Sequence, residues 1–388
     1  MEVTKTILFI NLIIWTSLAG AADAYKVVSE QADKIFDEKI YHVQTTIQQG
    51  EKEINRFTMN YFRAASGDKK GQAVLLVGGS NSNSDVYSIG ANPLVKDLAS
   101  QGYAVYGYSP RTKGLSLGFC QKEAKKCDEM KNWGLKTYLS DIELMAQKIK
   151  AESGLAPVLV GMSLGSILSF KALAAHPNYY AGVVFIDGNS YSTDEKFKKG
   201  FETDCLNATK AIASGEYYDT SMLGFKLMAN LFVNNPGGKS PVVNGLTNYQ
   251  AFFVATNNPV PNAFPGYTYV AMGDTPFSYK YSPVENLLDM VEVVNELEPM
   301  KLIQDYSCEI ARGVKNYKRD YAVINIPVLG IAAEKGFGAF MQESIIEMGA
   351  KDKSFILKPG YAHADLLTAD DQRSALNDDI INWLKKRF

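Results

Sequence analysis

Histidine is scarce in this chain. Only three occur in 388 residues, His42, His176 and His363, so any reaction that needs an imidazole base has three candidates. Cysteine is sparse as well, at four (Cys120, Cys127, Cys205, Cys308), and no histidine lies near any of them. Zinc sites combine such ligands at short spacing, so neither a metal nor another cofactor is expected. A surplus of one charge is missing: 40 Lys+Arg against 42 Asp+Glu leave a formal net charge of -2. No basic surplus calls for a nucleic-acid partner, and no strongly acidic block reads as a tail. Beyond the N-terminus no apolar run is long enough for a transmembrane helix. Internal repeats and low-complexity segments are absent.

The one long apolar run follows Lys5. It reads ILFINLIIWTSL, Ile7 to Leu18, and leads into Ala19, Gly20, Ala21, Ala22, Asp23 and Ala24. It falls short of the roughly 20 residues that a bilayer span takes. Charge, apolar stretch and Ala-x-Ala in that order predict a cleaved secretion signal over 1–24, with cleavage after Ala24 or Ala21. The expected location is therefore secreted or periplasmic, with no stable membrane span after cleavage. Four cysteines in such a compartment are expected to form disulfides. Three pairings exist; the plainest joins Cys120 to Cys127 and Cys205 to Cys308.

The rest of the chain alternates strand and helix patterns. KIYHVQTTI and FTMNYFRA, around a turn at Gln49-Gly50-Glu51, predict an antiparallel pair. After a Gly67–Gly71 loop, AVLLV at Ala73–Val77 is continuously apolar, as a buried parallel strand is. Similar strands are predicted at Ala104–Tyr108, Pro157–Val160, Ala181–Ile186, Ile326–Ala332 and Ser354–Leu357. Helices are predicted over Asn92–Ser100, Leu135–Ile149, Ser166–Ala175 and around Trp383. This rhythm implies a mostly parallel sheet with helices on both faces. It breaks after Asn189. The long stretch that follows predicts helices over Asp194–Ala213 and Met222–Phe232, then the clusters NNPGGKSP and NNPVPNAFPGY. It is too long for a loop and reads as an inserted, mainly helical cap. The expected organisation is a core over 25–188, a cap over 189–322, and the core again over 323–388.

Gly161-Met162-Ser163-Leu164-Gly165 carries the strongest chemical signal. It sits between an apolar strand and an apolar helix, where a nucleophile elbow lifts a Ser hydroxyl above the sheet at a helix N-terminus. A Ser hydroxyl needs a base to take its proton. His42 lies in the early antiparallel pair and reads as structural; His176 precedes Pro177 at a helix end and reads as a cap or surface residue. His363 follows the last strand, where a loop reaches the crevice at the sheet's C-terminal edge. It is the expected base, with Ser163 as the nucleophile.

These pieces, together with VLLVGGS, GYAVYGYSPR, IPVLGIAAE and GYAHADLL, resemble the α/β-hydrolase family, in particular its lipase- and esterase-like serine hydrolases with an inserted cap. The likeness implies an α/β-hydrolase fold and the chain order nucleophile, acid, histidine. At the usual position of the acid, near Gly336, there is no carboxylate. Asp187, at the end of FID, is the favoured acid, since some lipases carry it after the preceding strand; Glu334 is the alternative. The resemblance places the oxyanion hole on the N–H groups of Leu164 and Ser80, where Gly78-Gly79 replaces the family's usual His-Gly. Arg111 is expected to be structural, and Asp365 to cap a helix.

The implied activity is hydrolysis of carboxylic esters through an acyl-enzyme, as a carboxylesterase or lipase, on a small-molecule ester or lipid. Two alternatives stay open: a peptidase or amidase on the same triad, and a non-catalytic binding protein on a hydrolase scaffold. Aromatic residues of the cap (Phe252, Phe253, Phe264, Tyr267, Tyr269, Phe277, Tyr279, Tyr281) suit an acyl chain or aromatic ester, and suit ordinary packing equally. Oligomeric state is not legible.

Overall fold

Strands that read as unbroken apolar runs occupy the middle of one nine-stranded sheet. The computed structural model describes residues 26–33, 36, 39–65, 71–257, 264, 266–313 and 317–388. The expected secretion signal, most of the Gly67–Gly71 loop and much of NNPVPNAFPGY lie outside them. In chain order the strands are β1 (Lys26–Asp33), β2 (Ile40–Gln48), β3 (Arg56–Ala64), β4 (Ala73–Val77), β5 (Ala104–Ser109), β6 (Val158–Met162), β7 (Gly182–Ile186), β8 (Tyr218–Asp219), β9 (Glu298–Pro299), β10 (Val328–Ala333) and β11 (Lys353–Lys358). The sheet order is β1-β2-β3-β5-β4-β6-β7-β10-β11, and β8 pairs with β9 separately. From β5 to β11 all neighbours are parallel. The first three strands extend the sheet in antiparallel fashion. The mostly parallel sheet expected from the sequence is thus present. β1 was not foreseen, because KVVSEQAD is largely exposed at an edge and carries no apolar face.

Alternation along the buried strands sends side chains to two cores. Leu75, Val77, Leu159, Val183 and Phe185 pack with Ile142 and Met145 of the Leu135–Ser153 helix and with Ile167 and Leu168 of the Leu164–Ala175 helix. Val74, Leu76, Val160, Val184 and Ile186 pack with Val95 and Leu98 of the Leu94–Ser100 helix and with Ile380 and Leu384 of the Asp378–Lys385 helix. Helices therefore cover both faces. Arg111 is structural: its guanidinium meets the fully buried Asp141 at 3.0 Å (Nε–Oδ2) and 2.7 Å (Nη2–Oδ1).

The insertion falls between β7 and β10 and is mainly helical. Its first helix, Glu195–Ser214, starts where Asp194 Oδ1 accepts the N–H groups of Lys196 and Phe197, and stops at Gly215 with φ 89. That helix packs on Met300–Arg312, and the Cys205–Cys308 disulfide joins the two. Cys120–Cys127 closes a short loop beside the Leu117–Lys122 helix. Both bridges are the plain pairing expected. Among the described residues, no helix is long and apolar enough to cross a membrane.

The bridges span sequence separations of 103 and 7. On chain-entropy grounds the longer loop contributes more, about 4–5 kcal/mol against about 2–3 kcal/mol. Replacing Cys205 and Cys308 by Ser is expected to lower the urea midpoint more than replacing Cys120 and Cys127. Equal midpoints for the two variants would contradict this.

Candidate active site

The elbow is tight because its two glycines leave room for backbone. A Cβ on Gly161 would lie 2.2 Å from Gly165 O, and one on Gly165 would lie 2.2 Å from Val77 O. The Leu164–Ala175 helix therefore starts in direct contact with the end of β4. Ser163, between β6 and that helix, has φ 55 and ψ -121, a strained conformation of the kind stored at functional sites. Ser163 is half-buried, and its side chain makes no capping bond. Its N–H donates to Ile186 O at 2.9 Å, the carbonyl just before Asp187.

His363 and Asp187 come together. His363 Nδ1 lies 2.6 Å from Asp187 Oδ2, and both side chains are buried. The other oxygen, Oδ1, accepts the N–H of Ala333 at 2.9 Å and of Phe337 at 3.0 Å. Asp187 itself has φ 38, so the chain turns sharply at the end of β7 to aim the carboxylate at β10. Gly336, where the family's usual acid would stand, faces this same carboxylate. A Cβ there would fall 2.0 Å from Asp187 Oδ2. The two acid positions thus converge on one point in space, and a side chain fits at only one of them. Glu334 is exposed and accepts the Gly360 N–H at 2.7 Å, away from the imidazole contact.

The turn after β4 approaches the serine. A Cβ on Gly79 would be 3.0 Å from Ser163 Cβ, so Gly79-Ser80 runs beside the hydroxyl. Leu164 is the first residue of its helix, where N–H groups have no intrahelical acceptor. Leu164 follows Ser163 in the chain, and Gly79, which precedes Ser80, lies against it.

The insertion completes the surroundings of His363. His363 N donates to Thr268 O at 3.1 Å, and Ala364 N to Tyr269 O at 2.7 Å. The rings of Tyr267, Tyr269 and Phe337 stand 5.6, 5.6 and 5.7 Å from the imidazole. Burial, with Tyr269 and Asp187 adding, holds the Tyr267 phenol well above its ordinary pKa. Of the other aromatic candidates, Phe264 packs on Tyr267 and Phe337. Phe252 stacks on Phe232, Phe253 packs on Phe277 and Tyr279, and Tyr281 stacks on Tyr361. Packing accounts for those five.

Asp365 does not cap a helix as expected: it is the first residue of the Asp365–Thr368 helix, which has no side-chain cap. Its Oδ2 accepts Ala362 N–H and, from the insertion, Ala271 N–H, while Oδ1 accepts the Ser282 hydroxyl. This pins the histidine loop to the insertion. His42 bonds Asn60 and stacks on Phe62, and His176 sits near Glu143 at the surface, so neither joins the site. Among the described residues, no group of three or more His, Cys, Asp or Glu is arranged to hold a metal ion.

The model of the α/β hydrolase fold matches residues 72–236, from β4 into the insertion. Similar solved structures include a provisionally assigned lipase of Sulfolobus solfataricus, 18% identical, with 94% of this chain and 99% of that one covered and a TM-score of 0.68. A soluble variant of monoglyceride lipase from Saccharomyces cerevisiae is 16% identical, with 93% and 96% covered and a TM-score of 0.54. A provisionally assigned non-heme bromoperoxidase of Mycobacterium tuberculosis is 11% identical, with 86% and 96% covered and a TM-score of 0.51. The search of curated proteins finds no match. The chain has an α/β-hydrolase fold, and these lipase structures share it.

Asp187 also has a structural task that can be measured apart from any activity. Asp187→Ala leaves two buried N–H groups, of Ala333 and Phe337, without an acceptor. Unsatisfied groups of this kind cost about 1–3 kcal/mol each. Asp187→Asn keeps an oxygen there, so its urea midpoint is expected to fall less than half as far as that of the Ala variant.

Proposed function

We propose that the chain is an exported serine hydrolase that cleaves carboxylic esters, as a carboxylesterase or lipase, through an acyl-enzyme on Ser163. The observation that carries this reading is the 2.6 Å contact between His363 and Asp187. In a chain with three histidines, the one beyond the last strand is the one held by a buried carboxylate. That carboxylate fixes which imidazole nitrogen carries the proton and leaves Nε2 free to act as base.

In the proposed cycle, His363 takes the Ser163 proton as Oγ attacks the ester carbonyl. The Leu164 and Ser80 N–H groups hold the oxyanion. His363 then gives the proton to the departing alcohol, and water attacks the acyl-enzyme by the same route. Asp187 steadies the imidazolium throughout. The cap, over 189–322 in this reading, supplies the substrate wall. Phe197, Phe264 and Phe340 of one aromatic cluster adjoin Tyr267 and Phe337, which suits an acyl chain or an aromatic ester. Likeness in fold to lipases supports the ester class. Two disulfides agree with export.

A fluorophosphonate probe is expected to label wild-type protein and not Ser163→Ala; folded wild type that stays unlabelled would sink the reading. On short p-nitrophenyl esters, Asp187→Asn is expected to lose about 10³–10⁴-fold in kcat, and Glu334→Gln less than about threefold. Gly336→Ala is expected to lose at least tenfold, since its methyl displaces the carboxylate. Faster turnover of aminoacyl anilides than of esters would favour an amidase. N-terminal sequencing of the mature protein tests export, with Ala22 or Tyr25 expected first.

A further inference from the structure

A carboxylate from the insertion reaches the loop that carries Ser80. Glu298, in β9, is 5% exposed, and its Oε1 accepts the Asn81 N–H at 3.1 Å. Nearby residues of the insertion grip the same loop. Asn295 N donates to Asn81 O at 2.6 Å, Asn295 Nδ2 to Ser82 O at 3.2 Å, and Asn83 Nδ2 to Val293 O at 2.7 Å. Asn81 is held at φ 51, in the left-handed region that residues other than glycine seldom occupy. The loop is thus fixed from two sides. Gly79 rests against Ser163, and Glu298 with Asn295 holds the far end.

We propose that Glu298 is a positioning residue that clamps the oxyanion loop, keeping the Ser80 N–H aimed at the reacting oxygen, and that it acts as the neutral acid. The proposal rests on the triad reading above. A neutral carboxyl offers a carbonyl oxygen to Asn81 N–H and an O–H to the neighbouring Ser80 hydroxyl. An ionised one sets a negative charge against Asn81, the residue next to the Ser80 donor that must hold a developing oxyanion, and like charges oppose each other.

The surroundings favour the proton. Burial pushes the Glu298 carboxyl up to about 7 against the lowering pull of the Asn81 N–H. Asp219, its partner across the β8–β9 pair, raises it further, and the Ser80 hydroxyl lowers it. Tyr138 of the Leu135–Ser153 helix and Tyr306 of the Met300–Arg312 helix also face it. Both phenols are raised mainly by burial, with Glu298 adding. Asp204 acts on Tyr306, and its own carboxyl is raised by burial and by Asp219. The Asn81 N–H and the Ser80 hydroxyl favour the ionised carboxylate, but none of these neighbours is a cation, and burial outweighs the two donors. Nothing in the sequence singles out Glu298, one of many glutamates; only the fold brings it to this loop.

The test uses the full chain and p-nitrophenyl acetate, with rates expressed per active site as counted by fluorophosphonate titration. Glu298→Ala is expected to lower kcat at least tenfold while KM stays within about threefold. Glu298→Gln, which copies the neutral acid, is expected to match wild type within threefold at pH 6. It is also expected to lack the wild-type fall in kcat above about pH 7. A Glu298→Ala kcat within twofold of wild type overturns the clamp. A shared pH profile for Gln and wild type overturns the neutral-acid role, and this arm still decides if the Ala variant does not fold. Wild type inert to probe and ester would fail the triad reading, and the clamp with it. An active wild type with an unaffected Ala variant fails the clamp alone.

Discussion

Asp187 is fully buried, and its carboxylate has no bulk water to share its charge with. A charge in that position is tolerated only where donors surround it. Two backbone N–H groups and one imidazole do so here. Each donor comes from a different stretch of chain: the end of β10, the turn that follows it, and the loop after β11. Satisfying one carboxylate therefore requires three segments to converge. The same constraint explains Gly336. Any side chain there would occupy the space of the carboxylate.

The insertion is bound into the core at two places next to the chemistry. Thr268 to Ala271 bonds the histidine loop through backbone and through Asp365. Val293 to Glu298 bonds the loop that carries Ser80. An insertion attached in this way is also part of what orients the histidine loop and the Ser80 turn. Its helices rest on the core through the same apolar clusters that line the two faces of the sheet. The Cys205–Cys308 bridge ties its first helix to one that lies next to β9.

Much of this was legible in the residues. Buried parallel strands are covered on both faces, so AVLLV, VLV and AGVVFI read as unbroken apolar runs and were easy to find. The elbow was legible because a tight strand-to-helix turn needs glycine on both sides of the serine. β1 was not legible, since an exposed edge strand carries no burial pattern. The choice between Asp187 and Glu334 stayed open for a related reason. Spacing along the chain reports which strand a residue follows, but not which way its side chain points.

Local chemistry, written in runs of a few residues, determined the buried strands, the elbow and the one histidine beyond the last strand. Each of these depends on neighbours in sequence or on a count that leaves little choice. The tertiary structure alone decided that Asp187 meets His363, that Gly336 yields its space, that Asp365 ties the histidine loop to the insertion, and that Glu298 reaches the Ser80 turn. Those contacts join residues far apart in the chain. Their partners are selected by which buried groups must be satisfied once the sheet has closed, and that accounting exists only in three dimensions.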